Sequence, residues 1–197
     1  GSAGCLSGGD QDEVTLQLGD LRAKDGYVEI QATVSGQEDS YTVNLSAPDG
    51  EVVDTGYITE GNMSGGSQSL WLKLGDLNEN PPAGEYEVNV KRYAGDEILA
   101  EGTSSYSGPS IQIEGAEFAW IQSESKYVMQ NGTISASSTG DPGLIDAMSV
   151  TMDGNTTTVQ LSSMGIDQAV SPDESLDLNS SSFAMVLDPG SYTTTVE

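Results

Sequence analysis

The sequence predicts an all-β protein built as two tandem sandwiches. Three observations predict it. Apolar residues alternate with period two through most of the chain, with no sustained helical period. Turn-forming clusters separate those runs at short intervals. Landmarks of the first half recur in the second at a nearly constant offset.

Taken in order, Val28, Ile30, Ala32 and Val34 occupy every second position, as do Tyr41, Val43 and Leu45. Leu70, Leu72 and Leu74 follow, and then Tyr86, Val88 and Val90. Between them stand Asp25-Gly26, Pro48-Asp49-Gly50, Gly65-Gly66, Pro81-Pro82-Ala83-Gly84 and Gly95-Asp96. These are turn chemistries, because glycine supplies positive φ and proline presets it. The motif Gly84-Glu85-Tyr86-Glu87-Val88-Asn89-Val90 returns as Gly190-Ser191-Tyr192-Thr193-Thr194-Thr195-Val196, an offset of 106. At the same offset Gly26 meets Gly132, which sets Val28, Ile30 and Ala32 against Ile134, Ala136 and Ser138. Asp49-Gly50 meets Asp153-Gly154 at 104. The expected organisation is a tether over 1–13, one sandwich over 14–107 and a second over 108–197, with Gly108-Pro109 at the joint.

The proline–glycine approaches to Tyr86 and Tyr192 resemble the tyrosine corner that opens strand F of immunoglobulin-like domains. That resemblance implies sandwiches of about seven strands, with Trp71 on strand E, Tyr86 to Arg92 as strand F and Ile98 to Tyr106 as strand G. No inter-sheet cysteine pair is present, and no tryptophan falls on strand C, so the match is to the broad group of surface repeats rather than to antibody domains. Carried forward by 106 residues, strand G of the second repeat would lie beyond Glu197, and the second sandwich is expected to lack its last strand. Such a sheet edge would be filled either by further chain or by a strand of a neighbouring subunit.

Charge is the most extreme feature. Thirty-one acidic residues oppose six basic ones, with no histidine, for a formal charge of −25. Acidic disorder would share this composition, but the carboxylates are scattered among alternating apolar runs. Self-repulsion of this size keeps a chain soluble and works against compaction. Salt relieves it, since the Debye length falls from about 10 Å at 0.1 M to about 3 Å at 1 M. A very salty habitat is the expectation.

The same inventory narrows the function classes. Six dispersed cations build no phosphate-binding patch, so nucleic acid is not an expected partner. Anionic lipid headgroups are repelled, and no apolar run reaches the length of about 18 residues that spans a bilayer, so membrane contact is expected only through an anchor. One cysteine and no histidine exclude an internal disulfide, a nitrogen- or sulfur-ligated zinc site and histidine-assisted nucleophiles. A paired-carboxylate glycosidase remains conceivable, but 31 carboxylates bring two together in almost any fold. A non-enzyme is expected.

At the N-terminus Gly1-Ser2 resembles the remnant of a cleaved tag. Ala3-Gly4-Cys5 followed by Ser7-Gly8-Gly9-Asp10 resembles the processing site of surface lipoproteins, in which small residues precede a lipidated cysteine and a flexible tether follows. Together with the acidity, the segment is similar to that of a haloarchaeal surface lipoprotein with tandem immunoglobulin-like domains. The resemblance implies lipidation at Cys5, an extracellular, cell-surface location, and a role in adhesion, spacing or binding to other surface proteins. The alternative is a subunit of an extracellular filament or surface layer, joined to like subunits by strand complementation. Five of the eight asparagines, Asn44, Asn62, Asn131, Asn155 and Asn179, stand in N-x-[ST] sequons, as suits an exported glycoprotein.

No cofactor is expected. Calcium is the one metal this composition invites, with Asp10, Asp12 and Asp153 the weak candidates and Ser171 to Asp177 a further acidic loop, though none fits a spaced calcium loop. Gly61 to Ser67 is glycine-rich but lacks a phosphate-binding lysine and reads as a flexible inter-strand loop. Trp120 is expected to pack at the domain joint, and Met148, Met152, Met164 and Met185 to fill the second core.

Overall fold

A computed structural model describes residues 13–144, 147–152, 154–160, 169–170, 175–180, 186–187 and 194–196. Nearly all of this is antiparallel strand, as the alternation predicts. The chain divides into two compact units, residues 1–108 and 109–197.

In the first unit, β1 (Thr15–Lys24), β2 (Tyr27–Ser35) and β5 (Ser67–Asp76) form one sheet in the order β1-β2-β5. The other sheet runs β4-β3-β6-β7, from β3 (Tyr41–Ser46), β4 (Val52–Ile58), β6 (Gly84–Arg92) and β7 (Ile98–Tyr106). This three-plus-four split departs from the constant-type immunoglobulin arrangement, because β4 pairs with β3 rather than with β5. Between the sheets lie Val28, Ile30, Ala32, Val34, Leu72 and Leu74 from one side and Tyr41, Val43, Leu45, Tyr86, Val88 and Val90 from the other, all buried. Each alternating run named by the sequence therefore turns its apolar set inward.

Two strands escape that reading for physical reasons. In β1 a bulge between Leu18 and Leu21 resets the alternation, so Leu16, Leu18 and Leu21 never form a regular series. In β4 the inward series is Asp54, Gly56 and Ile58, and at its middle position, Gly56, an added Cβ would lie 2.2 Å from Leu70 Cδ1. The glycine lets β4 close the sandwich against β5 and erases the apolar signal. The connection from β4 to β5 is not merely a loose loop: a 3-10 turn over Glu60–Met63 drives Met63 into the core at 1% exposure.

The second unit repeats these pairings within itself. Its β8 (Ile111–Ser123), β9 (Lys126–Ser138) and β14 (Ser175–Ser180) pair as β1, β2 and β5 do, and β15 (Val186–Leu187) continues beside β9. Its β12 (Asn155–Gln160), β11 (Ala147–Met152) and β16 (Thr194–Val196) stand in the order β12-β11-β16, as β4-β3-β6 do. A short pair, β10 (Gly143–Leu144) and β13 (Ala169–Val170), completes the described strands. Among the described residues β16 is an edge of its sheet.

Register corrects one alignment. Ile30 faces Leu72 across the ladder and Ile134 faces Leu178, so Ile30 corresponds to Ile134, and Val28 to Gly132. The second strand is thus offset by 104 while the fifth is offset by 106. A bulge recurs as well: Leu18 and Leu21 bracket one against Ala32 and Ile30, and Ile113 and Ala116 do so against Ala136 and Ile134. Leu16-Gln17-Leu18-Gly19-Asp20-Leu21 and Ile111-Gln112-Ile113-Glu114-Gly115-Ala116 are therefore one motif, bulge included. Where the β1–β2 hairpin closes at Asp25-Gly26, β8 and β9 run on from Trp120↔Met129 to Ser123↔Lys126. Trp120 packs against the second unit's own core of Met129, Ile134, Met148, Val150, Met152 and Val159, as does Phe118. Met148 and Met152 are buried there as expected, whereas Met164 and Met185 lie outside the described residues.

Candidate functional site

The first unit offers two outward sheet faces. On the β1-β2-β5 face, Arg22 donates from Nε to Glu29 Oε2 at 2.9 Å and from Nη2 to the same oxygen at 2.8 Å. Its guanidinium lies 3.4 Å from the centroid of Trp71, so one arginine on β1 reaches across β2 to β5. Lys73 repeats the device 3.8 Å above Tyr27. Glu29 is 7% exposed, and burial of a carboxylate at the centre of a sheet is tolerable because Arg22 covers it. Both tryptophans of the chain are thus committed to structure, Trp71 under Arg22 and Trp120 in the second core.

This geometry fixes a stability prediction. Arg22→Ala removes the charge partner and the ring contact together, and should cost about 2 kcal/mol, discounted for the partial exposure of Arg22. Arg22→Lys should recover only part of it, since an ammonium lacks the planar fork. Adding Glu29→Gln to the alanine variant should restore part of the loss. Urea titration of the three variants checks this, and an Arg22→Ala curve identical to the parent's would contradict it.

On the β4-β3-β6-β7 face the residues stand in rows set by the register. One row holds Tyr57, Thr42, Lys91 and Ile98. The next holds Thr55, Asn44, Asn89 and Glu101, and the next Ser46, Glu87 and Thr103. Thr55 donates its hydroxyl to Asn44 Oδ1 at 2.9 Å, and Asn44 Nδ2 donates to Asn89 Oδ1 at 3.5 Å, giving a ladder of side-chain hydrogen bonds across three strands. At the end of the face Tyr57 and Tyr93, 65% and 62% exposed, meet edge to face with centroids 6.4 Å apart. Arg92 is drawn off to Asp39 at 3.0 Å. Sequence periodicity misses this cluster because an exposed tyrosine in a strand has the same pattern as any other outward residue.

The corner residue behaves as its motif implies: Tyr86 is fully buried and donates its hydroxyl to Pro82 O at 2.9 Å. Tyr41 does the same to Gln37 O at 3.0 Å, a second corner that the sequence reading does not single out. Burial pushes both phenols above the ordinary tyrosine value. Asp39 adds to the rise at Tyr41, opposed by Arg92, and Asp49 adds to it at Tyr86.

The sequence-predicted sites scatter. Cys5, Asp10, Asp12, Asp153 and Tyr192 lie outside the described residues. Asn62, in the 3-10 turn, and Asn155, the first residue of β12, are exposed. Asn44 is half-buried and engaged in the ladder. Asn131 has its Oδ1 buried without a hydrogen-bond partner. Asn179 sits on β14 opposite Thr133. Among the described residues no three acidic side chains gather as a metal would require, and no helix is long and apolar enough to cross a membrane.

No protein-family model and no curated protein matches the chain. Among solved structures it is similar to "Biofilm associated protein - BSP domain", at 15% identity and a TM-score of 0.31, over 91% of this chain and 27% of that one. A second match is "Structural basis of neurohormone perception by the receptor tyrosine kinase Torso", at 14% identity and a TM-score of 0.29, over 86% of this chain and 64% of that one. The chain therefore spans about a quarter of the first and under two thirds of the second. Likenesses of this strength assign no function.

Proposed function

We propose that the protein is a non-catalytic adhesion, spacer or binding module displayed outside a salt-adapted cell and tethered through a lipid on Cys5. The observation that carries the reading is the duplicated sandwich itself, repeated down to the bulge in its first strand. A sandwich unit repeated along one chain suits display. Thirty-one acidic residues against six basic ones suit concentrated salt. Asn62 and Asn155 are the sequons whose exposure best suits a glycan.

Fractionation in the native host tests the tether. The full precursor is expected in the membrane fraction, with Cys5→Ser released to the medium, because a lipid tail supplies the hold that the polypeptide surface lacks. Retention of the serine variant in the membrane would overturn the anchor.

A further inference from the structure

We propose that the outer face of the β4-β3-β6-β7 sheet binds a glycan bearing free amino groups, an amino-sugar polymer. The proposal deepens the adhesion reading and rests on it for biological setting.

The face has two ends of different chemistry. Tyr57 and Tyr93 form an exposed edge-to-face pair, with Ile98, 47% exposed, on the same row. Crossed rings this open offer apolar faces to the axial C–H bonds of a pyranose or to a cation. One row along, the planar amides of Asn44 and Asn89 lie side by side. Asn44 Oδ1 is held by Thr55, which fixes its amide in plane and leaves Asn89 Nδ2 to donate to sugar hydroxyls.

Charge selects the class of sugar. Glu101 stands in the amide row, Glu87 in the next and Glu85 beyond it, all exposed, against a single cation, Lys91, in the tyrosine row. Successive rows are about 7 Å apart, two residues of strand, so a polymer lying along the strands would pass the rings and then the carboxylates. Sulfated, phosphorylated or uronic glycans would meet three carboxylates here and a charge of −25 overall. Ammonium groups complement both. The other aromatic face is unsuited, because Arg22 already covers Trp71 at 3.4 Å and Lys73 covers Tyr27 at 3.8 Å.

Calorimetry on the full chain tests this with glucosamine hexasaccharide, its fully N-acetylated form and a hexauronate. In about 1 M salt only charges in near contact act, which removes attraction by the bulk field. Glucosamine hexasaccharide is expected to bind, the acetylated form at least tenfold more weakly, and the hexauronate not at all. Tyr57→Ala with Tyr93→Ala should weaken glucosamine binding at least tenfold, and so should Glu87→Gln with Glu101→Gln. Asp25→Asn with Glu79→Gln, carboxylates in the β1–β2 turn and after β5, should leave it unchanged. Thermal melts establish that each variant is folded. Absence of glucosamine binding, equal binding of the acetylated form, or equal loss in the control pair would overturn the proposal. None of these outcomes bears on membrane fractionation of Cys5→Ser, so the two readings fail separately.

Discussion

Raising KCl from about 0.1 M to about 3 M is expected to lift the melting temperature by about 5–10 °C. Two carboxylates about 7 Å apart, the spacing of neighbours such as Glu85 and Glu87 on β6, repel by about 0.6 kcal/mol in water before screening. At a Debye length of about 10 Å half of that survives, and at about 3 Å a tenth. With 31 acidic residues and six basic ones, on the order of ten such pairs per chain would return about 2–3 kcal/mol as salt is added. Each of the two units takes about half of that, and for domains of this size about 1 kcal/mol moves the midpoint by roughly 4–8 °C. A melting temperature flat across the series would remove the ground for a saline habitat. Salt that destabilised the fold would do so more strongly, since it would mean that attractive pairs outweigh the repulsion.

How much of this was legible in the sequence depends on what each strand buries. Val28 to Val34 and Tyr86 to Val90 pack one apolar face against a core, so period two appears in the letters and the strands fall where alternation puts them. β1 and β4 do not announce themselves, because a bulge breaks one series and Gly56 vacates the middle inward position of the other. The corner at Tyr86 was legible from its proline and glycine, while the equivalent bond from Tyr41 to Gln37 has no such flag. The repeat was detectable through glycines and tyrosines, yet its best-preserved motif, at Leu16 and Ile111, escaped because loops of unequal length shift its offset. The tyrosine face was invisible for a different reason. It exists only when β3, β4, β6 and β7 bring four separated segments into register, and no single segment carries its pattern.

Tyr86→Ala should be among the most damaging single substitutions in the first unit, at about 3–5 kcal/mol, because it empties a fully buried aromatic site and removes the corner bond together. Tyr86→Phe isolates the hydroxyl and should cost about 1 kcal/mol, the usual net worth of one hydrogen bond. Tyr41→Phe should cost a similar amount through Gln37 O, and the two should add nearly independently. Alkaline pH gives a second readout. Both phenols titrate higher in the folded protein than in the unfolded chain, chiefly through burial. The folded state therefore holds their protons more tightly: the contribution is complete below the unfolded value of about 10 and is lost as pH climbs through the raised folded values. Stability should fall along that limb in the parent protein, and the Tyr41→Phe, Tyr86→Phe double variant should show a shallower fall from a lower starting point. Denaturant midpoints measured from neutral pH to beyond pH 10 distinguish the cases. An alkaline limb unchanged in the double variant would show that these two hydroxyls do not couple ionisation to folding.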